Sequence, residues 1–367
     1  MTVSVGVLRE RSAGECRVAL VPDSVRRLAG AGFDVVVEAG AGAAAWFDDD
    51  AYAAAGGRVM SREEVLRDAD VLACVEPPED TALHPDQVLI GLLTPARRPD
   101  LVARWAALGV TAVSLDRLPR TLSRAQSMDA LTSQANIAGY RAAVLAAATY
   151  GGFFPMLVTA AGTSRPAAVL VLGAGVAGLQ AIGTARRLGA IVTAYDVRPD
   201  SRGEVESVGA RFLDLPGPVD AAGTGGYARS LTDEERRAQQ AALDEQVSRF
   251  DVVITTAQVP GGRPPVLVTA ECLKGLHPGA VVVDVASGPD GGNVEGSQPD
   301  RTIVTAEGVT VIGAGRLPSA MAPAASTAYA RNIEALLAHL CPHGTPAIDL
   351  ADEVTGAVVL THEGVVR

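Results

Sequence analysis

Short apolar runs alternate with longer amphipathic stretches through the first third of the chain. The runs at 3–8, 34–38, 58–60, 71–75, 88–93 and 111–114 predict strands, because parallel strands buried on both faces read as near-continuous apolar segments. Between them, 22–28, 62–67 and 99–108 read as helices, with Pro22 and Asp23 suited to a first helical turn. Strand and helix in alternation predict a parallel sheet covered on both faces. From 127 to 150 the apolar positions Ala130, Leu131, Ile137, Tyr140, Val144 and Leu145 take a helical rhythm, and a connector helix is expected over 127–154. A second alternation follows, with strands at 191–195, 211–213, 252–255, 281–284 and 309–312. Residues 324–340 turn helical again, and 358–360 read as a last strand returning to the first domain.

The second alternation opens on the most informative stretch. An apolar strand, 169–172, runs into Gly173-Ala174-Gly175-Val176-Ala177-Gly178, and Asp196 closes the next strand. This order suits a dinucleotide. Gly173 permits a tight turn, Gly175 lets backbone N–H groups approach a pyrophosphate, and Gly178 lets the helix lie close to the sheet. The helix N-terminus favours phosphate charge. Asp196 is placed to accept from a ribose diol and to repel a 2′-phosphate, which favours NAD(H) over NADP(H). The bland alternative is a glycine-rich turn without a ligand. The expected fold class is α/β, two Rossmann-like doubly wound parallel-sheet domains joined by long connector helices, with an interdomain cleft. The first domain is discontinuous, 1–126 plus 325–367, and the second spans 155–324.

Residues 216–228 hold too much Gly and Pro to pack as an element, and a capping-box pattern starts a helix at Thr232-Asp233-Glu234-Glu235. The segment 216–230 reads either as an inert surface loop or as a mobile lid with Tyr227 near its tip. Aromatic residues make up only 4% of the 367, so the core must be built from Ala, Val and Leu. A formal charge of -11 argues against nucleic acid as a main partner. Cys16, Cys74, Cys272 and Cys341 lack metal-ligand spacing and read as reduced thiols, so no metal site is expected. No signal pattern and no membrane-spanning run is present, which predicts a chain soluble on its own and cytoplasmic.

Proton-handling side chains are scarce. His84, His277, His339, His343 and His362 each sit in a loop or at a helix end without a motif. The densest polar constellation is 117–129, with Arg117, Arg120, Arg124, Gln126 and Asp129 just before the connector, where α/β ligands sit. It reads either as a solvated helix-entry loop or as a binding loop that orients a ligand; these groups are not proton carriers.

The segments Ser123-Arg124-Ala125-Gln126-Ser127-Met128-Asp129-Ala130-Leu131 and Ser133 to Arg141 closely resemble the NAD(H)-binding component of proton-translocating nicotinamide nucleotide transhydrogenase. The likeness continues through the glycine motif, Tyr195-Asp196-Val197-Arg198-Pro199, Gly226-Tyr227-Ala228, Thr255-Thr256-Ala257, Val283-Asp284, Gly291-Gly292-Asn293 and Arg17-Val18-Ala19. The resemblance implies a Re/Si-specific transhydrogenase subunit that binds NAD(H) and works only with partner subunits, one of which holds NADP(H). Hydride would pass directly between the two nicotinamides, coupled to proton translocation through a membrane component; such a transfer needs no general acid or base. It also implies a homodimer, held peripherally on the cytoplasmic membrane through its partners, with no insertion of its own. Arg120, Gln126 and Asp129 then resemble the nicotinamide-side loop, with Thr132 where a serine is expected, and Tyr227 resembles the mobile-loop tyrosine. Gly173, Gly175, Val176, Ala177, Gly178, Asp196, Val197, Arg198, Gly226, Thr256 and Ala257 take the cofactor-binding roles. One extra residue separates Arg120 from Ser123, which leaves Arg117 and Arg124 as alternatives for the arginine. Two rivals stand beside this reading. An alanine dehydrogenase would need a Lys near 74–76 and a His near 93–95, where this chain has Cys74-Val75-Glu76 and Leu93-Thr94-Pro95. A NAD(H)-binding sensor without turnover would use the same binding loop and lid.

Overall fold

The computed structural model describes residues 2–79, 82–215, 232–259, 262–342 and 344–367. The loop expected over 216–230, with Gly226 and Tyr227, lies outside them, as does His343. The chain divides into two compact units, Met1–Gln134 with Pro318–Arg367, and Ala135–Leu317.

The first unit is built on an eight-stranded sheet. Its strands run in the order Val365–Val366, Val359–His362, Thr111–Ser114, Val88–Gly91, Val71–Ala73, Ser4–Val7, Asp34–Glu38 and Arg58–Met60. The six strands from Thr111–Ser114 to Arg58–Met60 are parallel, and Val359–His362 joins antiparallel to Thr111–Ser114. Side chains alternate across a strand. Accordingly Val35 and Val37 enter one core, with Val5, Val7 and the helix residues Tyr329 and Ile333, while Val36 enters the other, with Leu72, Leu89 and Trp105.

The second unit repeats this plan. Its seven strands run Arg211–Phe212, Ile191–Tyr195, Ala168–Leu172, Val252–Thr255, Val281–Asp284, Thr310–Gly313 and Thr302–Val304, with only the last antiparallel. Val169 and Val171 point into one core, Leu170 and Leu172 into the other. The expected strands at 191–195, 252–255 and 281–284 appear with unchanged bounds. The hairpin of Leu157–Thr159 and Gly162–Ser164, and the edge strand Thr302–Val304, carry no such apolar pattern and lie outside the expected elements.

The helical run expected from 127 is two elements. A 3-10 turn, Ser123–Met128, ends at Asp129, and the α-helix covers Ala130–Thr149. Asp129 makes the break: its Oδ1 accepts the Thr132 N–H at 2.8 Å, as a residue capping a helix N-terminus does. The helix Ala322–Leu340 starts earlier than expected because Pro323 fits a first helical turn. Val358 ends the short helix Glu353–Val358 instead of opening the last strand. No helix among the described residues is long and apolar enough to cross a membrane.

Candidate functional site

The three glycines of the Gly173–Gly178 turn are required for three different reasons. Gly173 has φ +100°, and a Cβ there would lie 2.8 Å from Thr256 Oγ1. A Cβ on Gly178 would lie 1.8 Å from the Gly173 carbonyl oxygen, so only glycine lets the helix start this close to the strand. A Cβ on Gly175 would meet nothing within 4 Å. Space, not packing, is what Gly175 keeps open, at the N-cap of the helix Val176–Arg187. No side chain caps that helix and no acid stands in its first turn, so the first N–H groups of Val176 and Ala177 stay available to an anion. These features fit a dinucleotide phosphate.

Around the turn, Thr256 donates its hydroxyl to the Gly173 carbonyl at 2.9 Å. Buried Asn293 holds the next residue by donating Nδ2 to the Ala257 carbonyl at 2.9 Å and to that of Pro265 at 2.7 Å. Asn293 is fixed in turn by the fully buried Asp284, whose carboxylate accepts the N–H groups of Ala286, Asn293 and Val294. Burial raises the Asp284 pKa, and the bonds from Asn293 and Val294 oppose the rise. Asp196 Oδ2 accepts the Ala174 N–H at 2.7 Å, and Arg198 folds its guanidinium onto the same carboxylate. Val197, between them, is partly buried. The Asp196 carboxylate is thus already paired within the chain. Gly139 was missed as a site-supporting residue: a Cβ there would lie 2.0 Å from the Ala177 carbonyl oxygen, so the two helix backbones touch.

The arginine loop belongs to the first unit, and there the structure distinguishes the three arginines. Arg120 donates Nε to Asp129 Oδ2 at 2.9 Å and Nη2 to Thr132 Oγ1 at 2.7 Å, and the Thr132 hydroxyl donates to Asp129 Oδ2 at 2.6 Å. These bonds close a triangle at the start of the long helix. Arg124 turns instead to Asp352, at 2.8 Å, and to Glu353. Arg117 is exposed, as is Gln126 on its 3-10 turn. Ala125 and Met128 anchor the loop in the core, and Asn332 Nδ2 donates to the Ser127 carbonyl at 2.8 Å. Arg17 pairs with Glu15 through Nε and Nη2 and donates Nη1 to Gln134 at 2.9 Å. Asn332 and Glu15 carry no local signature, so only the tertiary structure could reveal them.

Neither a lysine at 74–76 nor a histidine at 93–95 is present. The Cys74 thiol is buried and donates to the Ile90 carbonyl, and burial pushes its pKa up. The N–H groups of Val75 and Glu76 bond Glu10, and that of Thr94 bonds Asp116. Among the described residues no group of His, Cys, Asp or Glu could hold a metal ion.

A fold of this order with such a turn is of the Rossmann, dinucleotide-binding type. Residues 6–138 match the family described as alanine dehydrogenase/PNT, N-terminal domain, and 142–367 match alanine dehydrogenase/PNT, C-terminal domain. The chain is 44% identical to an NAD(P) transhydrogenase subunit alpha of Cereibacter sphaeroides, over 99% of its own length and 71% of that protein. It is 40% identical to the first portion of NAD(P) transhydrogenase subunit alpha of Rhodospirillum rubrum, over 99% and 97%. The crystal structure of a transhydrogenase from Sinorhizobium meliloti superposes with a TM-score of 0.88 at 39% identity, covering 99% of this chain and all of that one. A solved L-alanine dehydrogenase is more distant, with a TM-score of 0.81 at 26% identity, over 99% and 96%. The chain belongs to the alanine dehydrogenase/PNT family, on its transhydrogenase alpha-subunit branch.

Proposed function

We propose that this chain is the NAD(H)-binding half of a Re/Si-specific, proton-translocating transhydrogenase and turns over only with a partner subunit that carries NADP(H). The observation that carries the reading is the open space at Gly175 before an uncapped helix N-terminus, in a branch whose members are named NAD(P) transhydrogenase. Bound NADH supplies a hydride for direct transfer to the partner's nicotinamide.

In this reading Val176 and Ala177 hold phosphate through their N–H groups, Thr256 and Ala257 line the turn, and Asp196, Val197 and Arg198 meet the adenosine ribose. Asp129 and Thr132 lock the Arg120 guanidinium in one orientation, a geometry suited to presenting donors to a carboxamide without rearrangement. Gln126, exposed on the same loop, adds an adjustable amide. Gly226 and Tyr227 act from the lid, excluding water. None of these residues moves a proton, which suits hydride exchange between two nicotinamides. The working unit is a homodimer, docked on the membrane through its partners. Phe153, Met156 and Val158, exposed in and beside the hairpin, favour a second copy as cover.

The test is NADH consumption in two parallel samples, one with the NADP(H)-binding partner and NADP⁺, the other with pyruvate and ammonium. Turnover only with the partner is expected. Turnover with pyruvate and ammonium sinks the proposal, and NADH binding without turnover in either sample moves the chain to the sensor reading.

A further inference from the structure

The Asp196 carboxylate has no acceptor position left. Its Oδ1 takes the Arg198 backbone N–H at 2.9 Å and Arg198 Nε at 3.0 Å. Its Oδ2 takes the Ala174 N–H at 2.7 Å and Arg198 Nη2 at 3.1 Å. A carboxylate offers about four lone-pair positions. All are filled, two by backbone and two by one guanidinium. Both side chains are shielded, Asp196 at 9% and Arg198 at 19% exposure, so the pair is more than a surface contact. The bond to Asp196 raises the pKa of Arg198, with Glu204 and Asp200 adding to the same effect.

A ribose diol brings two hydroxyl donors. It reaches Asp196 only by taking the two places of the guanidinium, an exchange of two hydrogen bonds for two. The backbone bonds from Ala174 and Arg198 stay. A 2′-phosphate brings acceptors only. It offers nothing to Asp196, yet it is a better partner for a planar guanidinium, which binds phosphate through two parallel N–H groups.

We propose that Arg198 is a latent 2′-phosphate ligand masked by Asp196, so that this pocket selects its dinucleotide by an exchange at the Asp196–Arg198 pair rather than by the charge of Asp196 alone. The proposal rests on the dinucleotide reading of the Gly173–Gly178 turn. Two consequences distinguish it from simple repulsion. Removing the Asp196 charge creates NADP(H) affinity that depends on Arg198. Removing Arg198 alone sharpens selection for NAD(H), because an unpaired Asp196 faces the 2′-phosphate.

The experiment is a fluorescence titration of the full chain with NADH and with NADPH, for the wild type, Asp196→Asn, Arg198→Ala and the double variant. Asn keeps one oxygen for the Ala174 N–H, but its amide nitrogen cannot accept from the guanidinium. Asp196→Asn is expected to bind NADPH about 10- to 100-fold more tightly than the wild type, the range of one charge-assisted pair. It should lose NADH affinity, and the NADPH gain should shrink as ionic strength rises. The double variant should lose the gain. Arg198→Ala alone should weaken NADPH more than NADH, and this arm stands even if Asp196→Asn folds poorly. A folded Asp196→Asn with no gain, or a gain that survives in the double variant, overturns the proposal while leaving the dinucleotide site intact. A wild type that fails to bind NADH removes both.

Discussion

Arg9 and Ala174 occupy the same place in two sheets of the same order. Each lies two residues beyond the central first strand, and each donates its N–H to an acid near the end of the second: Arg9 to Glu38 at 2.8 Å, Ala174 to Asp196 at 2.7 Å. Each acid also carries an arginine, Arg62 on Glu38 and Arg198 on Asp196. Beyond this point the units part. The second follows with Gly175 and open space. The first follows with Glu10, which is half-buried and turns its carboxylate onto the N–H groups of Val75 and Glu76, at 2.6 and 3.2 Å. Crevices at the carboxyl ends of such strands are where ligands settle in this architecture. In one unit no side chain caps the helix that follows the first strand; in the other the residue after the first strand turns a carboxylate onto backbone N–H groups at the end of a neighbouring strand. Fold alone therefore does not make a dinucleotide site, and the residues after the first strand decide.

The largest effect should separate two glycines of one turn. Gly178→Val puts its Cβ against the Gly173 carbonyl and is expected to cost about 4 kcal/mol of stability together with NADH binding. Gly175→Val projects into free space, so its melting should stay near the wild type while NADH affinity falls about 100-fold. Melting curves beside NADH titrations decide, and equal destabilisation by both would remove the distinction between packing and space.

Next comes Arg62→Ala in the filled unit. It removes the nearest cation from a Glu38 whose side chain is 8% exposed, leaving that carboxylate the Arg9 N–H and the more distant Arg11, and should cost about 2–3 kcal/mol with NADH affinity unchanged. A matching loss of NADH affinity in the folded variant would mean that the first unit does not serve structure alone at this point.

Glu10 predicts a pH dependence. Burial lifts its pKa from 4.5 to about 8, against the two backbone bonds and with Glu15 and Glu76 adding to the rise. Between these values the folded chain holds a proton that the unfolded chain has released. Stability from this group is therefore present below about pH 4.5 and lost as pH climbs to about 8, by roughly 1–3 kcal/mol. Denaturant melts of Glu10→Gln across that window should show a flatter slope than the wild type. The smallest effect belongs to Arg11→Ala. Its guanidinium is 65% exposed and 3.8 Å from Glu38, and stability should move by less than about 0.5 kcal/mol.

What the sequence discloses follows the range of each interaction. The buried strands at 34–38, 191–195 and 281–284 are legible because their apolar runs are local and end in turn residues. The Gly173–Gly178 turn is legible for the same reason, as is the nearness of Arg120 to Asp129. Which of Arg117, Arg120 and Arg124 pairs with Asp129 is not legible, since it depends on where Asp129 and Asp352 lie in space. Nor is the masking of Asp196, because a sequence shows which groups are near one another along the chain but not which bonds they have already spent. Asn332 escapes notice similarly, as do the partners of Asn293: these are backbone carbonyls remote in sequence, and no pattern of side-chain types records a carbonyl.

The contact at Gly139 bears on movement. Where helices meet through long side chains, rotamers yield and a shift of one is blunted before it reaches the other. Here the meeting is backbone to backbone, with the Ala177 carbonyl seated where a Cβ would be. At Gly139 no side chain separates the long helix from the glycine turn. At this point the two helices have no slack between them, and a single methyl at Gly139 would wedge them apart.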